Sequence, residues 1–155
     1  MAKKTFNEKL NDNKDMPVVK TVSDPKTIAR YGGERMLIAP PLAYDEIMKR
    51  VPEGQVITVN GIRDYLARKY NVDFVCPLTA GIFIQIAARA SVERCGENPT
   101  PYHRILKKDG ELNEKYPDGI NGHKSLLEME GHTVIQKGKR YYVADYNKKA
   151  YELGL

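Results

Sequence analysis

The feature that most constrains this chain is the stretch from Thr79 to about Arg94, where Ile82, Phe83, Ile86, Ala87 and Ala90 recur at helical spacing. That period places them on one stripe of an amphipathic helix, with Thr79 as its natural N-cap and Gly96 as its stop. No apolar run in the chain approaches the ~18 residues a membrane span requires, so the stripe has to be buried against other elements of the same chain. Immediately upstream, Asn60 can cap a helix whose apolar positions are Ile62, Leu66 and Tyr70. Two helices with a tight connection, the second more apolar, predict a helix-turn-helix.

The flanking sequence supplies the remaining elements. Residues 43–51 give a short amphipathic helix with Asp45 and Glu46 early and Lys49 and Arg50 late, the polarity a helix macrodipole favours. Pro52-Glu53-Gly54 turns the chain, and residues 55–59 have strand composition. Asp109-Gly110 predicts a turn, and residues 123–130 a last helix ending at Gly131, with Lys124 outward and Leu126 and Leu127 inward. Residues 132–136 and 140–143, joined through Lys137-Gly138-Lys139, predict a hairpin with a basic tip. The fold class is therefore α+β, mainly helical: three helices and a C-terminal β-hairpin, a winged-helix-like plan. Residues 1–35, rich in Lys, Asn, Asp, Thr and Ser, are expected to form a basic, largely flexible arm, with one docked piece around Pro17-Val18-Val19. Residues 36–155 are expected to form the folded domain.

Charge sharpens the picture. The 155 residues carry a net charge of +5, distributed as +3 over residues 1–35 (eight bases, five acids), −1 over 36–130 (twelve, thirteen) and +3 over 131–155 (five, two). The excess sits at the two ends and leans toward polyanionic partners. Cys76 and Cys95 are too few and too far apart for a disulfide scaffold or a zinc site, so a reducing cytoplasm, no metal and no cofactor are expected. The N-terminus carries no apolar signal-like segment, which predicts a soluble protein with no membrane association.

Pro101-Tyr102-His103-Arg104-Ile105, followed by Asp109-Gly110, Tyr116, Gly119, Lys124, Leu126-Leu127 and Glu130-Gly131-His132, resembles the DNA-binding domain of the methylated-DNA cysteine methyltransferases. Val51-Pro52-Glu53-Gly54-Gln55-Val56 resembles the segment preceding that family's helix-turn-helix, and the likeness runs from about Tyr44 to Val134. In that family a Cys between the Pro and the His takes the alkyl group from the O6 atom of a flipped-out guanine, while the His, with a Glu acting through a water, removes the thiol proton. His103 and Glu130 match those two positions, and Tyr102 stands where the nucleophile would be. A phenol of pKa ~10 is about 0.1% ionised at neutral pH and is a poor substitute for a thiol. The chain is thus most similar to the alkyltransferase-like proteins, which lack the Cys. The resemblance implies a non-enzymatic protein that binds alkylated double-stranded DNA in a pocket around Tyr102, His103, Arg104 and Glu130, and that hands the lesion to downstream repair proteins. A monomer is expected.

The sequence also departs from the family. The Arg that the family inserts into the base stack is missing from the start of the second helix, so either Ile82 or Phe83 wedges instead or both are core residues. Val59 replaces a Tyr, and the interval from Asn98-Pro99 to Pro101 is short. Candidate DNA contacts are Thr79, Gln85, Ala88 and Arg89 on the second helix, Arg104, Lys107 and Lys108 after the pocket motif, and Lys137, Lys139 and Arg140 at the hairpin tip. As substitute nucleophiles, Cys76 precedes a helix N-terminus, although burial in a structural role is expected for both cysteines. His123 is expected to be exposed on the last helix, and His132 to be structural. Two alternatives stay open: an active transferase or other enzyme using Cys76, Cys95 or His103, and a DNA-binding regulator without lesion preference.

Overall fold

The helix predicted from the apolar period organises the structure as α5 (Pro77–Glu93). The computed structural model describes residues 4–154. The inner face of α5 is lined by buried Ala80, Ile84, Ala87, Ala88 and Ala90, and its small alanines let α1 (Phe6–Leu10) and α3 (Pro41–Arg50) lie close against it. Ile62, Tyr65 and Leu66 of α4 (Val59–Tyr70) complete this core together with Leu37, Tyr44, Ile47 and Met48. Burial of each such large side chain contributes about 1.5–3 kcal/mol.

Both helix starts differ in detail from the sequence reading. Thr58, not Asn60, caps α4, its hydroxyl accepting from the Gly61 N–H at 3.1 Å. α5 begins two residues before Thr79: Cys76 is its N-cap without a side-chain bond, Pro77 fills N1, and the Thr79 hydroxyl donates back to the Cys76 carbonyl at 3.4 Å. Proline at N1 loses no hydrogen bond, because that N–H has no partner within a helix.

The N-terminal segment differs more. Residues 4–35, expected as a largely flexible arm, carry α1, β1 (Val18–Thr21) and α2 (Pro25–Tyr31), and residue 35 opens β2 (Arg35–Ile38). Residues 1–3 of that expected arm lie outside the described residues. α1 starts with a capping box between Thr5 and Glu8, and the Glu93 carboxylate of α5 accepts the Phe6 and Asn7 N–H groups at 2.8 and 3.0 Å. β1 is the docked piece around Val18. It pairs antiparallel with β2 (Val18↔Ile38), which pairs parallel with β4 (Phe74–Val75; Leu37↔Val75).

On the far side, β3 (Ile57–Thr58) runs parallel to β5 (Ile105–Leu106) in register Ile57↔Ile105. α6 (Gly119–Met129) starts one turn before His123 and is terminated by Gly131 at φ 88°. The predicted hairpin forms as β6 (Val134–Lys137) and β7 (Arg140–Val143), with Lys137 opposite Arg140. A second apolar cluster of Val56, Leu106, Leu112, Leu127 and Val143 lies beneath it. Gly110 is required at its turn, since φ is +83° and a Cβ there would stand 2.5 Å from the Tyr146 ring. The result is the predicted class, a helix-rich α+β fold ending in a hairpin. Among the described residues no helix is long and apolar enough to cross a membrane.

Candidate functional site

The segment between α5 and β5 is fixed before it reaches the site. Thr100 is buried; its N–H donates to Ser91 Oγ at 2.9 Å, and its hydroxyl donates to Asp45 Oδ1 at 2.6 Å and accepts from Arg94 Nη2 at 3.0 Å. The chain then makes a single 3-10 turn, Tyr102–Arg104, and enters β5. This anchorage sets where the next three side chains point.

Glu130, one residue past α6, is the common partner of two of them, His103 and Arg104. Its carboxylate accepts from His103 Nε2 at 2.7 Å, from Arg104 Nη2 at 2.7 Å and Nε at 3.0 Å, and from the Gly54 N–H at 3.1 Å. Burial opposes ionisation of this carboxyl, but the Arg104, His103 and Gly54 donors outweigh it and hold its pKa at about 2. A carboxylate offers only acceptors, so His103 carries its proton on Nε2 and leaves Nδ1 as a free lone pair. Burial lowers the His103 pKa against the pull of Glu130, keeping the ring neutral at neutral pH.

His123, expected on the surface, is fully buried. The reason is that both ring nitrogens are satisfied inside: Nδ1 accepts from the Asn113 N–H at 3.1 Å, and Nε2 donates to the His103 carbonyl at 2.8 Å. Burial lowers its pKa to about 4. His123 therefore supports the pocket turn from behind. Tyr116, which donates to the Ile105 carbonyl at 3.0 Å, links the two layers: its ring lies 5.2 Å from Tyr102 and 5.0 Å from His123, both edge to face. Burial, with Asp118 nearby, raises the Tyr102 pKa above the ordinary phenol value.

A cavity of about 560 Å³ opens beside this turn, bordered by Lys49, Asn98, Pro99, Tyr102, His103 and Leu126 among others. Of the four expected pocket residues, Tyr102, His103 and Arg104 border it. Glu130 does not, and instead holds His103 and Arg104 from behind.

The expected DNA contacts divide. Arg104, expected to contact DNA, has its guanidinium bound to Glu130 and to the Val51 carbonyl. Ala88 is corrected, being fully buried in the core. The Thr79 hydroxyl is turned to the Cys76 carbonyl. Gln85, Arg89, Lys107 and Lys108 line one groove of about 750 Å³ along α5, with Arg89 donating to the Lys115 carbonyl and Lys107 3.4 Å from Glu114. Lys139 and Arg140 belong to a separate hollow under the hairpin; Arg140 is 3.7 Å from Glu111, and Lys137 lies over the Tyr142 ring. Lys9, Arg63 and Lys115, not singled out from the sequence, join the α5 groove. The Thr5-Phe6-Asn7-Glu8 capping-box pattern was the signal that would have placed Lys9 on a helix.

The other side chains also resolve. Ile82 is half-exposed, whereas Phe83 packs on Tyr44 in the core. Cys76 is half-buried at the start of α5, and Cys95, expected to be buried, is exposed in the turn after it. His132 is buried beside the cluster with no hydrogen-bond partner for either ring nitrogen among the described residues.

No family model and no curated protein matches the chain. Solved structures with a similar fold include S. pombe Atl1 in complex with damaged DNA containing O6-carboxymethylguanine, at a TM-score of 0.51 and 21% identity, covering 72% of this chain and 94% of that one. A second is S. pombe ATL in complex with DNA, at a TM-score of 0.54 and 20% identity with the same coverage. At these identities the likeness is one of fold.

Proposed function

We propose that this chain is an alkyltransferase-like DNA-binding protein that recognises an O6-alkylated guanine in duplex DNA and leaves the alkyl group in place. The observation that carries the reading is the cavity of about 560 Å³ beside Tyr102, bordered by His103 and Arg104. The space is ample for an extruded base and a small adduct. Likeness of fold to a protein solved on DNA containing O6-carboxymethylguanine supports the same reading.

The proposed division of labour follows from the side chains. Exposed bases such as Lys108 and Lys139 supply phosphate attraction without sequence choice. Tyr102 offers an aromatic ring for stacking and a hydroxyl for a base edge. Its raised pKa keeps the phenol un-ionised, so it does not attack an alkyl carbon. The ionised Glu130 holds both His103 and Arg104 in position. A lesion bound but not repaired implies a downstream repair protein that receives it.

Incubation with duplex DNA carrying a radiolabelled O6-methyl group tests the non-enzymatic part. The label is expected to stay on DNA throughout, with the protein shifting the labelled duplex in a native gel. Label on the denatured protein contradicts the reading.

A further inference from the structure

In the proposed reading an alkyl group on guanine O6 occupies the cavity beside Tyr102, so the charge on the cavity wall selects among adducts. Most of that wall is neutral. Pro99 and Leu126 are apolar, and burial keeps the Tyr102 phenol and the His103 ring un-ionised at neutral pH. Arg104 is charged, but its Nε and Nη2 are bound to Glu130 and its Nη1 to the Val51 carbonyl. The remaining charged side chain on the border is Lys49 of α3.

Lys49 is held there with donors to spare. Asp45, one turn earlier and buried, accepts from the Thr100 hydroxyl at Oδ1, and its Oδ2 lies 3.0 Å from Lys49 Nζ. Asp45 does not border the cavity, so an adduct meets the ammonium and not its carboxylate partner. Asp118, whose charge acts on Tyr102, does not border it either. An ammonium has three donors, and Asp45 is the one partner of Lys49 among the described residues. The Lys49 side chain is 30% exposed, so its attraction for an anion is screened less than on the open surface.

We infer that Lys49 gives the cavity a charge preference, so that it favours an O6 adduct ending in a carboxylate over a neutral adduct of the same shape. The inference rests on the lesion-binding reading and names the adduct class and the residue that selects it. A carboxylate moved from water to a wall of neutral groups is penalised unless it is paired. A charge-assisted hydrogen bond from Lys49 offsets that cost. A neutral amide of the same shape lacks the attraction between opposite charges.

The experiment uses the full chain and four duplexes of one sequence whose central base is guanine, O6-methylguanine, O6-carboxymethylguanine or O6-carbamoylmethylguanine, with Kd read by anisotropy. The last two adducts differ in charge and hardly at all in size. The wild type is expected to bind the carboxymethyl duplex roughly tenfold tighter than the carbamoylmethyl one at low salt, with the ratio shrinking as salt rises. Lys49→Gln brings the ratio near one, and Lys49→Arg keeps it. Each ratio is read on one preparation, so a partial loss of folded protein leaves it unchanged; Lys49→Met serves where Lys49→Gln melts below the assay temperature. A wild-type ratio near one overturns the inference, and so does a tenfold ratio that survives the loss of the ammonium. In both cases tighter binding of O6-methylguanine than of guanine leaves the lesion-binding reading standing. Equal affinity for all four duplexes overturns both.

Discussion

His103 Nε2 donates to Glu130 Oε2 at 2.7 Å, and that same oxygen lies 2.7 Å from Arg104 Nη2. One buried anion therefore fixes two successive side chains of the pocket turn. Removing it leaves the Arg104 charge in a poorly solvated place. Glu130→Ala is expected to destabilise the fold by about 3 kcal/mol, lowering the melting temperature by roughly 6–12 °C. Arg104→Ala should cost a similar amount, and the double variant clearly less than the sum. Thermal melts of the three proteins decide it; additive losses contradict the coupling.

The pH dependence on the acid side follows from two groups whose pKa values are pushed far down, His123 and Glu130. His123 has a folded pKa of about 4, below its ordinary value of 6.5, so the unfolded chain takes up its proton first. Its contribution is complete above 6.5 and is lost as pH falls toward 4. Glu130, at about 2 against 4.5, contributes fully above 4.5 and is lost as pH falls toward 2. Urea midpoints should therefore decline in two stages on acidification. His123→Asn should flatten the stage between pH 6.5 and 4 while leaving the lower one; an unchanged slope there sinks the assignment.

Tyr102→Cys places a thiol beside a neutral His103 whose Nδ1 lone pair is free. If the pocket keeps transferase geometry, the thiol gives its proton to His103 Nδ1, its sulfur bonds to the methyl carbon, and the bond from that carbon to O6 breaks with its electron pair leaving on the guanine, which takes up a proton in turn. Slow, single-turnover label transfer to the protein is the expected outcome, and Tyr102→Cys/His103→Ala should abolish it. Full transfer by that double variant removes His103 from the proton step.

Thr100 anchors the pocket segment to α3 and α5 through Asp45, Ser91 and Arg94. Thr100→Val keeps its shape and deletes the hydroxyl, at an expected cost of about 1–3 kcal/mol. Because the turn carrying Tyr102 starts two residues later, preference for alkylated duplex should fall with it. A melt and a binding titration on the same preparation separate the two effects.

How far the sequence determined this structure varies by element. α5, α4 and the hairpin were legible because their periods are local, and the start of α4 was misread only because Asn60 and Thr58 are both capping residues. The N-terminal segment was not legible because its supports are distant: α1 is held by Glu93, 87 residues from Phe6, and β1 by β2, a strand that no local pattern announces. At the site, the family resemblance brought Tyr102, His103 and Glu130 into one account. It did not show that Arg104 would be consumed by Glu130, since a basic residue gives no sign of whether its partner is internal. His123 misled for the same reason, because a lone helical His says nothing of the Asn113 N–H and His103 carbonyl that wait for it.

The central claim is tested most directly by the ratio of affinities for one duplex with and without a single O6-methylguanine, titrated across a salt series. Affinity for both should fall steeply with salt, while the preference for the alkylated duplex persists, because the cavity beside Tyr102 and not the phosphate contacts would supply it. A tighter complex with the lesion at every salt concentration, reduced by Thr100→Val, is the predicted result. Equal affinity for the two duplexes throughout the series contradicts lesion recognition.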